Sequence, residues 1–295
     1  MKRTINLDKY MRFIFPAPSI VILLLIVVFP LAFLFFMSTQ SYDFSLQGEF
    51  IGLENYVRLI QDPRFLNSIF RTALFVLLSI GATTILGLII ALFLNGDYRG
   101  IKWYRVLFII PMFATPVAVA LVWRTMFHPQ IGILNYFLQL VGLPGSVWLG
   151  STRTALASVT LVEAWRRTPI VMLILLAGLR SLPKEPFESS IVDGANAIQR
   201  FIYITIPLLR PTLFIAVLIN AIDSIRSFDT FFALTEGGPR YSTETLSVYS
   251  YLRTFQFLDF GYGSSIIITY LIMSAAFSMV LLYYRRSKDH RSGNM

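Results

Sequence analysis

Residues 13–37 read FIFPAPSIVILLLIVVFPLAFLFFM, an apolar run without a charged side chain. About 20 such residues in a helix cross about 30 Å of hydrocarbon, so the run predicts a membrane span. Lys2, Arg3, Lys9 and Arg12 precede it, as in a secretory signal. The run is longer than the roughly 7–15 residues of a signal core, however, and no small-residue cleavage site follows, so it is expected to be retained. Five further blocks have the same character: Ile69–Leu94, Val106–Phe127, Ala155–Leu179, Phe201 to about Asp229, and Ser264–Tyr284. Six spans are expected.

The composition agrees. Of 295 residues, 56% are hydrophobic and only 14% charged, with a mean hydropathy of +0.67. Soluble domains carry about 25% charge, so a water-soluble globular protein is excluded. The formal net charge of +9 would suggest nucleic acid in a soluble chain. Here the cations cluster at membrane edges, where they meet anionic lipid, and no nucleic-acid module is visible. Cysteine is absent, which excludes disulfides and thiol chemistry. His128 and His290 fall in a loop and a tail, so no metal site and no cofactor are expected. No H-E-x-x-H or G-x-S-x-G occurs, and no catalytic residue is assigned.

Lysine and arginine beside the spans set orientation. The N-terminal tail, Arg99, Lys102 and Arg105, then Arg180, Lys184 and Arg200, and finally Arg285, Arg286, Lys288 and Arg291 form the basic side. In the first outer loop Asp43, Glu49, Glu54 and Asp62 oppose Arg58 and Arg64. Both termini are therefore expected in the cytoplasm. The chain divides into residues 1–68 (tail, first span and outer loop), residues 69–284 (five spans with a cytoplasmic loop at 181–207), and the tail 285–295.

That loop begins SLPKEPFESSIVDGANAIQR at residue 181. Pro186 suits a first helical turn, and Glu188 lies near the positive end of the helix dipole. Phe187, Ile191, Ala195 and Ile198 recur at helical spacing and predict one apolar stripe. Gly194 then falls mid-helix at a cost of about 1 kcal/mol, which close approach of another surface would explain. A helix lying on lipid is the plainer reading, but Glu188 and Asp193 gain nothing there. A second insert, Thr235–Gly263, lies outside. Gly237-Gly238-Pro239 predicts a sharp turn, and its tyrosines and phenylalanines suit a membrane boundary or a docking surface.

The loop spacing carries a resemblance. Glu188-Ser189-Ser190, three residues, Gly194, nine residues, then Ile204-Thr205-Ile206-Pro207 resembles the EAA signature of binding-protein-dependent ABC importer permeases, with serines for two alanines and isoleucine for leucine. Trp165–Pro169, Ala177–Leu179 and Leu234–Pro239 resemble the carbohydrate, maltose-permease-like branch. The resemblance implies an all-α type I permease fold with six transmembrane helices and a cytoplasmic coupling helix, in a bacterial inner membrane. It also implies partners: a second permease as heterodimer, two ATP-binding subunits on the cytoplasmic face, and an extracytoplasmic solute-binding protein. Phe187, Glu188, Ile191, Asp193, Gly194, Ala195 and Ile198 would form the ATPase-coupling surface. The residues agree on one point independently: no G-x-x-x-x-G-K-[ST] loop is present, so ATP hydrolysis falls to another chain.

Charges at membrane depth cost about 2.5–3.5 kcal/mol on insertion scales and usually face a cavity or a partner. The fourth span carries Glu163, Arg166 and Arg167, and the fifth carries Asp223, Ser224, Arg226, Ser227 and Asp229. Matching to the family's solute-binding positions implies Met112, Pro116, Arg167, Ile170, Asp223, Ser224 and Ser227 as pathway residues, and Arg166 joins them by its depth. Asp223 and Ser227 are expected to share a helix face. The bland alternative is mutual neutralisation, Glu163 with Arg167 and Asp223 with Arg226. The expected solute is a sugar or similar polyhydroxylated compound, with Arg166 and Arg167 as the forks for any acidic substituent. A glycerol-phosphate or polyol permease is the near alternative. An ion-coupled secondary transporter is the distant one, and it lacks the expected internal symmetry.

Overall fold

The computed structural model describes residues 15–42 and 48–292, with side chains to residue 283. The basic N-terminal tail, the first two residues of the expected span from Phe13, and Asp43 lie outside the described residues, as do the side chains of Arg285, Arg286, Lys288 and Arg291. Among the described residues the regular structure is helical, apart from one two-residue antiparallel pair, Gln40–Ser41 with Glu49–Phe50.

The chain forms two compact units. The first joins residues up to Asp62 to Ser250–Ile272. Its helix α1, Ala17–Ser38, is apolar and exposed along nearly its whole length. A π turn at Leu24–Val28 precedes Pro30, which absorbs the hydrogen bond the proline cannot make. Helix α2, Glu54–Gln61, is tied down by polar contacts: Asn55 donates to the carbonyls of Ser38 (3.0 Å) and Gln40 (2.9 Å). Tyr262 donates to Asp62 at 2.6 Å and lies under the Arg58 guanidinium, 4.2 Å from its ring centre. Gly261 has no room for a side chain, which would strike the Gln40 carbonyl.

The second unit holds Pro63–Tyr249 and the chain from Met273. Its helices are α3 (Pro63–Asn95), α4 (Ile101–Phe113), α5 (Pro116–Met126), α6 (Ile133–Leu140), α7 (Ala155–Arg180), α8 (Glu185–Val192), α9 (Ala197–Ile225), α10 (Asp229–Thr235) and the start of α11 (Leu246–Tyr251). Helix α12, Phe260–Ser292, runs through both units. The core packs α3, α7 and α9 through Ala91, Leu94, Val171, Met172, Leu175, Leu209 and Ala216. Alongside runs a polar seam: Asn220 donates to Thr83 at 2.6 Å, and Ser79 meets Ser224 at 3.1 Å. Apolar side chains gain little by leaving lipid for one another, so close packing and hydrogen bonds of this kind hold spans together.

Helices α1, α3, α9 and α12 are long and apolar enough to cross a membrane. Helix α7 has the length, at 26 residues, but carries Glu163, Arg166 and Arg167. Two expectations need correction. The third span is broken: α4 and α5 meet at 100°. Pro111 lies in a 3-10 turn and Pro116 opens α5, which forces Thr115 into an extended conformation (φ −65°, ψ 142°) that no helix continues. The fifth span stops at Ile225 rather than near Asp229, with α10 starting anew. A π turn at Phe201–Thr205 precedes Pro207 and Pro211 in α9, the distortion expected where two N–H donors are missing.

In the insert at 235–263, Glu244 is 1% exposed and holds Arg64 with both oxygens, at 2.8 and 2.6 Å. The Arg64 guanidinium lies 4.1 Å from the Tyr241 ring centre. Tyr249 is fully buried, so this ring is core rather than a boundary anchor.

Candidate functional site

Glu163 is completely buried in α7, and two arginines share it. Arg167, one turn on, donates Nε to Glu163 Oε2 at 2.5 Å. Arg166 reaches the same carboxylate with Nη2, at 3.1 and 3.4 Å. Thr230, in the first turn of α10, donates its hydroxyl to Glu163 Oε1. Arg167 also donates Nη2 to the main-chain carbonyl of Asp223, at 2.9 Å. One ion pair of α7 therefore grips both sides of the break between α9 and α10. A buried carboxylate in a membrane needs this satisfaction, because unpaired it would neutralise instead.

The grip places the intervening turn along a cavity of about 260 Å³. Pro116, Arg166, Arg167, Ile170, Asp223 and Ser227, six of the eight residues expected along the pathway, line it. Two of the expected residues do not. Ser224 is 1% exposed and spends its hydroxyl on Ser79, because it is on the face of α9 that packs on α3. Met112 lies in the 3-10 turn of α4 and is absent from the lining; the break at Thr115 turns that turn away from the helix axis of α5. Arg226, Phe228, Asp229 and Thr230 complete the wall. Sequence reasoning noted Arg226 and Asp229 as polar at depth but extended the helix through them, which distributes them around its circumference. A chain break instead brings consecutive residues to one surface.

Helix α9 ends at Ile225, so Asp223 and Ser227 share the cavity but not a helix face. The neutralisation alternative holds in part. Glu163 and Arg167 pair, whereas among the described residues no ion pair joins Asp223 to Arg226. The cavity thus presents carboxylates that accept from hydroxyls and guanidinium groups that donate to oxygens.

The loop at 181–207 also differs from expectation. Helix α8 ends at Val192, and Gly194 sits just beyond it at φ +78°. The Gly194 N–H bonds Ile191 O (3.1 Å) and the Ala195 N–H bonds Ser190 O (2.9 Å), a Schellman cap. Nothing lies within 4 Å of where a Gly194 side chain would start. The left-handed backbone is sufficient reason for a glycine here, and its open side leaves this position free of contact within the chain itself. Asn196 then caps the start of α9 in a reciprocal capping box with Gln199. The apolar stripe is consequently split. Phe187 and Ile191 line a groove of about 590 Å³ with Glu188, Arg180, Lys184 and Asp97, while Ala195 is in the turn and Ile198, 70% exposed, belongs to α9. Asp193 is the C-cap of α8. Ser189 and Ser190 donate their hydroxyls back to Glu185 and Phe187 carbonyls at 2.6 and 2.7 Å, so they add no unsatisfied donor to the surface.

Comparison with known proteins bears on the whole chain. A family model described as "Binding-protein-dependent transport system inner membrane component" matches residues 83–290. The sulfoquinovosyl glycerol transport system permease protein SmoG of Agrobacterium fabrum is 34% identical over 285 residues, covering 96% of this chain and 92% of that protein. The trehalose/maltose transport system permease protein MalF of Thermococcus litoralis is 33% identical, covering 90% of each. A chain in the crystal structure of a bacterial alginate ABC transporter, in complex with an alginate pentasaccharide-bound periplasmic protein, superposes with a TM-score of 0.81 at 21% identity. That match covers 97% of this chain and 98% of the other.

Proposed function

Because the chain belongs to the binding-protein-dependent transport system inner membrane component family, and within it to the sugar ABC importer permeases, we propose that it is one of a pair of permeases driven by two ATP-binding subunits. An extracytoplasmic binding protein delivers the solute, and the cavity beside Arg226 is part of its path. The supporting observation is the cavity itself: a charged, hydrogen-bonding wall at a helix break, built in a chain that is otherwise apolar. Structural neutralisation alone does not require Asp223, Arg226 and Asp229 to face one space. Helix α8 is the point where ATPase motion enters, because Ile191 (59% exposed) and Val192 (87% exposed) present apolar surface beside acidic Glu188.

The solute is a polyhydroxylated compound bearing an acidic substituent. Support comes from the guanidinium groups of the wall and from a relative, 34% identical, named for transport of sulfoquinovosyl glycerol. Thermal stabilisation of the cognate binding protein by matched sugars tests this. A uronic or sulfonated sugar should stabilise it where the neutral parent does not; stabilisation by neutral sugars alone contradicts the acidic reading and leaves the importer intact.

Both termini are cytoplasmic in this proposal. The cysteine-free chain allows single reporters at Lys102, Tyr241 and Ser287. Tyr241 is 49% exposed, unlike Glu244, whose replacement would break a buried ion pair. An impermeant thiol reagent outside intact spheroplasts should label only the Tyr241 position; labelling at Lys102 or Ser287 reverses the orientation.

A further inference from the structure

We propose that Arg226 is the residue that selects for an acidic substituent on the solute, an inference that rests on the pathway reading of the cavity given above. The three guanidinium groups at the cavity differ in what already occupies them. Arg167 spends Nε on Glu163 and Nη2 on the Asp223 carbonyl. Arg166 gives Nη2 to both oxygens of the same carboxylate, and its Nε is buried without a hydrogen bond, out of reach of a solute. Arg226 is exposed and lines the cavity, and its guanidinium makes neither ion pair nor hydrogen bond among the described residues.

A carboxylate or sulfonate is bound best by two parallel donors of one fork, and the fork has to be free. An anion could take Arg167 only by displacing Glu163 and leaving a fully buried carboxylate short of a partner, which is strongly unfavourable. Arg226 imposes no such exchange. Its main chain is fixed as the C-cap of α9, with its N–H on Ser224 O. Three residues to either side, Asp223 and Asp229 also line the cavity, and their carboxylates have no ion-pair partner among the described residues. A group held on Arg226 is therefore flanked by two acceptors for hydroxyls. The same carboxylates repel a small, densely charged anion. The class that fits is a sugar or polyol with one carboxylate or sulfonate among many hydroxyls.

The test reads cavity charge directly, without knowledge of the solute. Ile170→Cys places a neutral reporter in the wall of a chain that has no other cysteine. In the assembled complex, its rate of modification is measured with an anionic sulfonatoethyl and a cationic trimethylammonioethyl methanethiosulfonate. Arg226→Gln should lower the anionic-to-cationic rate ratio about tenfold, since losing one nearby charge acts on the two reagents in opposite senses. Arg226→Lys should keep most of the ratio. Arg153→Gln, the same charge change at an exposed position outside the wall, should leave it unchanged. An unaltered ratio in Arg226→Gln, with both reagents still reacting, overturns the assignment while the pathway stands. If neither reagent reaches Ile170→Cys, the cavity is sealed, and the pathway reading falls together with this one.

Discussion

Replacing Glu163 by glutamine is expected to be the most damaging single change in the chain, at about 3–5 kcal/mol of stability. The substitution removes almost no volume, so the loss is electrostatic. Arg167 and Arg166 both depend on this carboxylate, which is wholly buried. Without it Arg167, 8% exposed, has no ion-pair partner among the described residues, and Arg166 loses its own as well. Glutamine still has an oxygen for Thr230, but its amide hydrogens oppose the Arg167 donor. The α9–α10 break, gripped through Arg167 and Thr230, should loosen with it. The expected observations are a lower yield of assembled complex and earlier thermal aggregation in detergent. The double variant Glu163→Met with Arg167→Met should recover much of the loss, because an apolar pair often replaces a buried ion pair at little net cost. The non-additivity is the measurement. A double variant as fragile as Glu163→Gln would place the loss in side-chain packing rather than in unpaired charge.

The other large effect is expected at helix α8, the proposed attachment point of the ATP-binding subunits. Ile191→Asp together with Val192→Asp should weaken the ATPase attachment about a hundredfold or more, as loss of central apolar anchors does at interfaces. Membrane insertion and the fold should survive. Both side chains are already exposed, and the cap that ends α8 uses main-chain groups and Gly194. ATP-binding subunits should then fail to co-purify with a chain present at ordinary levels in the membrane. Ile198→Asp is the informative comparison. It is equally exposed at 70% but stands past the turn, on α9, and should do less damage. Equal loss from both sites would mean that the attachment spans the turn and that α8 is not its centre.

Much of this was legible before the structure. Hydrophobic runs of span length find the four helices that are long and apolar enough to cross a membrane, α1, α3, α9 and α12, to within a turn or two, because the bilayer imposes a length on such runs. What the pattern cannot report is where a span is interrupted. Val106–Phe127 reads as continuous since proline and threonine are tolerated in membrane helices; only the pairing of Pro111 with a pre-proline Thr115 produces the 100° break. The helix end at Gly194 is hidden for a related reason. Hydropathy carries the stripe through residue 198, and only the backbone shows Gly194 at φ +78°, capping α8. Six of the eight residues expected along the pathway converge on one cavity. Ser224 stands elsewhere because one residue on a helix is a 100° turn, enough to move a side chain from the cavity to the α3 seam. Arg226 and Asp229 gained their place from a helix end that hydropathy does not mark.

Uptake into proteoliposomes holding the chain with its partner subunits tests the central claim most directly. Solute and binding protein are supplied outside, ATP is enclosed or withheld, and no proton or sodium gradient is applied. An importer permease predicts accumulation only when ATP, ATP-binding subunits and binding protein are all present. Accumulation driven by a proton or sodium gradient with no ATP would contradict it, and would make Asp223 and Asp229 candidates for ion sites instead.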